Sequence, residues 1–348
     1  MTNSRLQLLG LLFGAILLVT DAAADANIFV YHRFGDPRYP STNVSLDNFR
    51  QHLEILRDRR ATVLRLGELV DLLTDGRQIP PQTVVLTVDD AYRTFLTGAV
   101  PLLREFGYPA TLFVNTDAVG GGDYLSWADL RQLRDAGIEI GNHSARHDSL
   151  LRRVDRESEA QWRQRVADDL QRARAALQSE LDLTADLFAY PYGEYSTALT
   201  ALVRQSGFRA ALGQQSGVVS AGSDLWRLPR FPMAGPYAAP DDFRGKLMMK
   251  ALPVTVLEPT DTLVTGTDRP PRLRVRVDMR DLEPQSLRCY VSGQGEVAVN
   301  AVAGETGLFE VQAKAPLTGR RAKYTLTARG GNGGDWYWFS QLWIFPER

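Results

Sequence analysis

"QTVVLTVDDAY", residues 82–92, decides how the chain is read. Val84, Val85, Leu86 and Val88 make a short apolar run of strand type, and the run ends on two adjacent carboxylates, Asp89 and Asp90. Like charges placed side by side disfavour joint ionisation unless a cation or an acid–base task uses them. The plainer alternative is a pair of solvated aspartates, one of them capping a helix. What else the fold brings to that strand end decides between the two.

Outward from this stretch, residues 27 to 230 alternate short apolar runs with helical patterns. "NIFVY" (27–31), "TVLRL" (62–66), "TVVLTV" (83–88), "ATLFVN" (110–115), "IEIGN" (138–142), "LFAY" (187–190) and "FRAALG" (208–213) read as strands. Helices are expected over 46–58 and 155–180. In the second, Trp162, Val166, Leu170, Ala173 and Leu177 recur at helical spacing. Strand–helix alternation implies a parallel sheet, and seven or eight units imply an α/β protein of (β/α) barrel type, closed or partly open. His32, Asp89, Asp90, Asn115, His143 and the run Tyr190-Pro191-Tyr192-Gly193 all follow strands. Strand C-terminal ends share one face of such a barrel, so these residues are expected to line one mouth.

After residue 250 the texture changes. "PRLRVRVDM" alternates at period two, and further short strands follow, which implies a small all-β sandwich (Ig-like) domain over 251–348. In "DWYWFSQLWIF" both faces are apolar, so one face is expected in the sandwich core and the other against the barrel. At the start, Arg5, a short apolar run and Ala22-Ala23-Ala24 read as a signal peptide over residues 1–24. The barrel domain is then expected over 25–250, the protein exported to the periplasm or secreted, with no stable membrane span after cleavage. A formal net charge of −1 offers nothing to nucleic acid, and the single cysteine, Cys289, has no internal disulfide partner.

His143 and His147 form an H-x-x-x-H pair, two of only four histidines in the chain. On one helical turn or a tight loop, both imidazoles can face one cation. With one aspartate added, a coordination position is left for water, which marks a catalytic site. If one aspartate is a ligand, the other is free to take a proton. His52, in "FRQHLEIL", is expected to be solvated on its helix.

"TVDDAY", "NHSARH" and "YPYG" resemble the first three motifs of the polysaccharide deacetylases, the NodB-homology group also called carbohydrate esterase family four. The resemblance covers residues 27–235, and the opening "YHRF" is similar to the poly-N-acetylglucosamine deacetylase branch. It implies that Asp90, His143 and His147 hold a divalent metal, Zn2+ first, with Co2+, Ni2+ or Fe2+ as alternatives. It implies that Asp89 is the general base toward water at the metal, and that Tyr190, Pro191 and Tyr192 form the substrate and oxyanion side. A histidine would protonate the leaving amine, and His32 is the candidate. Two departures stand out. Ala189 occupies the place of an arginine that steadies the base, a task left to Arg93 or Arg230, and no histidine follows His147. The implied activity is metal-dependent hydrolysis of N-acetyl groups on an N-acetylglucosamine-containing polysaccharide or oligosaccharide. The alternative is a weak or inactive carbohydrate-binding protein of the same fold. A non-haem iron oxygenase would leave Asp89 without a task.

Overall fold

A computed structural model describes residues 24–264 and 270–346. The expected leader, but for residue 24, lies outside the described residues. Eight strands make the first sheet: β1 (Ala26–Tyr31), β2 (Thr62–Leu64), β3 (Thr83–Val88), β4 (Thr111–Val114), β5 (Glu139–Asn142), β6 (Leu187–Ala189), β7 (Ala210–Leu212) and β8 (Phe231–Pro232). All pairings are parallel, in the order β8-β1-β3-β4-β5-β6-β7, with β2 pairing the first half of β3. The sheet curls into a barrel. Its edges are joined by the segment 228–232, where Leu228 bridges Leu212 of β7 and Phe231 pairs with Phe29 of β1.

β1 and β3 are buried along their whole length, as strands covered on both faces must be. Side chains alternate across β3. Val84, Leu86 and Val88 join a cluster with Phe49, Leu53, Leu103 and Leu133 from the surrounding helices. Val85 packs with Ile28, Phe113, Ala189 and Leu212 from other strands. The same parity turns Thr87 and Asp89 toward the barrel interior.

Helix α1 (Leu46–Asp58) starts where Ser45 accepts the N–H of Asn48, and α2 (Leu66–Thr74), α3 (Val100–Phe106) and α4 (Trp127–Asp135) follow their strands. α5 (Glu159–Leu181) carries the expected stripe, with Trp162, Val166, Leu170, Ala173 and Leu177 all buried. α6 (Thr197–Gln205) and α7 (Pro240–Leu247) complete the outer layer. Among the described residues, no helix is long and apolar enough to cross a membrane.

The C-terminal region holds two further sheets. One runs β9 (Met249–Ala251), β17 (Trp336–Ile344), β16 (Arg321–Arg329), β12 (Arg288–Val291) and β13 (Gly295–Val297). The other runs β10 (Val254–Glu258), β11 (Arg272–Val277), β15 (Leu308–Gln312) and β14 (Val299–Ala301). β17 has two apolar faces, as its sequence requires. Trp343 enters the core between the sheets with Tyr324 and Leu326. Leu342 and Ile344 instead pack with Trp162, Leu199 and Val203 of the barrel's helices.

His52 departs from the expectation of a solvated side chain. It is fully buried, stacked on Phe243 at 4.3 Å, and placed between the Tyr31 hydroxyl at 3.1 Å and the Ala238 carbonyl at 3.0 Å. Helical spacing puts it on the same face as Phe49 and Leu56, and two partners satisfy a neutral ring there. Burial lowers its pKa to about 4. The unfolded chain therefore takes up a proton that the folded protein refuses as pH falls from 6.5 toward 4. Across that window this group withdraws about 3 kcal/mol of stability. In urea unfolding, His52→Gln should begin less stable at neutral pH yet lose less on acidification, and parallel pH slopes for the two chains would contradict this.

Candidate active site

The mouth is built by strand ends and the loops that leave them. After Asp89 the backbone turns sharply, with positive φ at Asp90 and Ala91. This turn reverses the side-chain parity, so that Asp89 points into the barrel and Asp90 points across the mouth toward β5. His143 follows β5 directly, and the chain doubles back through Ser144 and His147, both also at positive φ. The tight loop, not a helical turn, is the form the H-x-x-x-H pair takes. Three side chains hold it. Asn142 accepts the N–H of Ser144 at 2.8 Å, and Ser144 accepts that of His147 at 3.0 Å. Asp169, on the buried face of α5, accepts those of Ala145 and Arg146 at 3.1 and 3.2 Å.

Asp90, His143 and His147 come together. Asp90 Oδ1 lies 3.4 Å from His143 Nε2 and 3.1 Å from His147 Nε2, and the two Nε2 atoms are 3.2 Å apart. His143 Nδ1 donates to the Ala189 carbonyl at 2.7 Å, so Nε2 is the ring atom turned to Asp90 and the one free to bind a cation once it carries no proton. Burial lowers the ring's pKa, but the Asp89 and Asp90 carboxylates outweigh it and raise the pKa above the ordinary value. Asp90 Oδ1 is buried and has no hydrogen-bond partner. Three electron-pair donors at these separations fit a small divalent cation. Ligand bonds of about 2.1 Å in a tetrahedral site place ligand atoms about 3.4 Å apart. The donor set, two imidazoles and one carboxylate, suits zinc and its neighbours.

Asp89 is fully buried and meets Arg230, also fully buried, through two bonds of 2.7 and 2.8 Å. Arg230 further donates to Gly213 O at 2.8 Å and Thr87 Oγ1 at 3.2 Å. Burial pushes the Asp89 carboxyl upward, but the Arg230 guanidinium, through its charge and its hydrogen bonds, leads the causes that oppose it, and the pKa lies below the ordinary value. Asp89 is therefore ionised. Gln214 adds a longer contact at 3.4 Å.

His32, half-buried at the end of β1, lies within electrostatic reach of Asp90, Asp89, Arg230 and His143. Burial lowers its pKa more than the two carboxylates raise it, so the ring is neutral at pH 7.

The remaining candidates separate. Arg93 does not reach Asp89: it is exposed, and its guanidinium donates to the Tyr124 carbonyl, because the reversed chain after Ala91 carries it outward. Tyr190 is fully buried with its hydroxyl on the Trp226 carbonyl, so its side chain belongs to the core beside Phe188 and not to the mouth. Pro191 is buried and shapes the turn. Tyr192 stands at φ +59, partly exposed, with its ring 4.7 Å from that of His147. Gly193 has to be glycine: a Cβ there would meet the Gln214 backbone N at 2.4 Å.

Sequence reasoning missed Asp169 and Gln214. Asp169 left a signal, an acidic residue inside the apolar stripe of α5. Gln214 follows β7 as the other site residues follow their strands.

The class these features define is a parallel (β/α) barrel with a His–His–Asp cluster and an ionised, arginine-paired aspartate at its mouth. Residues 76–211 match the family described as polysaccharide deacetylase, and this part of the chain belongs to it. A putative polysaccharide deacetylase, YxkH of Bacillus subtilis, is 23% identical over 61% of this chain and 72% of its own length. A poly-beta-1,6-N-acetyl-D-glucosamine N-deacetylase of Escherichia coli is 25% identical over 57% of this chain, and the match spans 34% of that relative. The solved Streptococcus pyogenes deacetylase PplD, in complex with acetate, superposes with a TM-score of 0.58 at 20% identity, covering 65% of this chain and 99% of its own, and shares the fold.

The buried pair yields a test by double-mutant cycle. Arg230→Met strands a buried carboxylate and should cost about 3–5 kcal/mol of stability. Asp89→Asn/Arg230→Met should be less unstable than the sum of the single changes, and additivity in urea unfolding would contradict direct coupling.

Proposed function

We propose that this protein hydrolyses N-acetyl groups from an N-acetylglucosamine-containing polysaccharide, as an exported, metal-dependent N-deacetylase. The observation that carries this is the ionised Asp89 pinned by Arg230 immediately beside the Asp90–His143–His147 cluster. A divalent cation held by those three residues would supply Lewis acidity toward the acetamide carbonyl and toward water. Zn2+ is the first candidate. Asp89 has a different task. Its two oxygens are oriented by Arg230, and it stays ionised while buried, so it can take a proton from water attacking the acetamide carbon. The same proton must reach the leaving nitrogen, because amide and water give amine and carboxylic acid with no net gain of protons.

His32 is the candidate to deliver it. The neutral ring first accepts the proton and then passes it on, whereas in the competing route Asp89 carries the proton itself. Tyr192, packed on His147, walls the side from which the sugar enters. The arginine absent at Ala189 is matched by Arg230, which argues against the inactive carbohydrate-binding reading. The relatives named for poly-beta-1,6-N-acetyl-D-glucosamine support N-acetylglucosamine as the acetylated sugar.

Acetate release, followed by mass spectrometry on N-acetylglucosamine oligomers and acetylated glycans, tests the proposal. Release should stop with chelator and return with Zn2+ or Co2+. Asp89→Asn should lower kcat by about 10²–10⁴-fold. His32→Ala should fall by a similar factor if it carries the proton, and near-normal turnover would assign that step to Asp89. No acetate from any acetylated glycan with metal supplied would favour the binding protein.

A further inference from the structure

The C-terminal sheets contribute to the wall of this mouth. Along β16, Ala322, Tyr324 and Leu326 enter the core between the sheets, so the alternate residues Arg321 and Lys323 face the barrel. The Arg321 guanidinium donates to the Tyr192 carbonyl. Those of Arg320 and Arg321 lie 5.6 and 5.8 Å from the centre of the Tyr192 ring, the ring that also meets His147. Between these elements is a cleft of about 220 Å³ whose lining includes Tyr192, Gln214, Pro232, Ser292, Arg321 and Lys323. Gln214 is also the residue that reaches Asp89. The cleft and the catalytic carboxylate therefore share a wall.

The charge in this cleft is unbalanced. Arg320 and Arg321 share a single carboxylate, the buried Glu194, at 2.6 and 3.6 Å. Lys323 has no ion-pair partner among the described residues. Burial, and then Arg321, hold its ammonium pKa below the usual value. Lys246 of α7, which has Asp242 as its own counter-charge, lies within electrostatic reach of Lys323 and adds no net charge to the balance. Asp148, at the same rim, is already paired with Arg146 at 3.8 Å. Partly buried cations that outnumber their counterions are stabilised by any anion that fits between them.

We propose that this cleft receives an anionic substituent, carboxylate or phosphate, carried by the glycan on a sugar next to the one presented to Asp89. The preferred polymer is then an acidic N-acetylated glycan and not a neutral homopolymer. This rests on the deacetylase reading and deepens it. The volume supports a substituent, since clefts that hold whole drug-sized ligands run to about 300–1,000 Å³. Lys323 acts as a point charge for that group, and Arg321 holds the wall that separates it from His147. A neighbouring sugar already deacetylated carries an ammonium group, which the same cleft repels.

Two measurements on the full chain test this. The first is kcat/KM for acetate release from three oligomers: neutral N-acetylglucosamine, N-acetylglucosamine alternating with glucuronate, and phosphodiester-linked N-acetylglucosamine. The second is their binding by calorimetry to the metal-stripped protein, which needs no turnover. At least one acidic oligomer should exceed the neutral one by about tenfold in both, and added salt should shrink that ratio. The acidic arm that responds identifies the group as carboxylate or phosphate. Lys323→Gln should collapse the ratio toward one, and Lys323→Arg should restore most of it. Equal affinity for neutral and acidic oligomers, or a Lys323→Gln chain that keeps the ratio, would overturn the proposal. Absence of acetate from every oligomer alongside selective acidic binding would overturn the deacetylase reading alone.

Discussion

The contact between Arg230 and Asp89 is the interaction on which the rest depends. Alternation along β3 sends the Asp89 carboxylate into the barrel interior, where an unpaired charge is untenable. Arg230 answers it from the segment that joins the two edges of the sheet. Closing the barrel and stabilising the carboxylate are thus one event. An ion pair of this kind is weak evidence for stability, since a matched apolar pair would serve as well. What it does here is keep a fully buried aspartate charged and fix where its oxygens point.

Around that pair the mouth is made from backbone that L-residues seldom adopt. Asp90, Ala91, Ser144, His147 and Tyr192 all have positive φ. Each such residue costs roughly 1–2 kcal/mol. The surrounding hydrogen bonds, from Asn142, Ser144 and Asp169, over-determine the loop and hold it. Other residues share this conformation, among them Arg60, Gln82 and Asp182 on loops that lead into strands, but at the mouth five of them surround one cluster of side chains, the pattern of a site that positions groups against local preference. Here it brings two imidazoles and a carboxylate from separate loops to within 3.4 Å of each other.

The C-terminal sheets are bound to this arrangement through β17 and β16. Leu342 and Ile344 sit among the barrel's helices while Trp343 faces the other way, so one strand belongs to two cores. Burying each such side chain contributes about 1.5–3 kcal/mol. The consequence reaches the mouth, because docking β17 also places Arg321 and Lys323 of its neighbour beside Tyr192. A region that reads as an appended sandwich thereby becomes part of the wall of the site.

Much of this was legible in the residues themselves. Continuous apolar runs with polar ends identify β1, β3, β4 and β5 as buried parallel strands, because local pattern and burial share one cause. The same logic placed Asp89, Asp90, His143 and His32 at one mouth, and the two-faced β17 between two cores. What the sequence could not decide were pairings across long separations. Arg93 and Arg230 are equal as letters, and only barrel closure aims one of them at Asp89. His52 reads as a surface histidine until Tyr31, Ala238 and Phe243 are brought around it, and Tyr190 reads as a mouth residue until the turn after β6 sends its ring inward. Periodicity reports which face of an element is covered. Which partner covers it depends on chain segments tens to hundreds of residues away, and that is settled only when the tertiary structure closes.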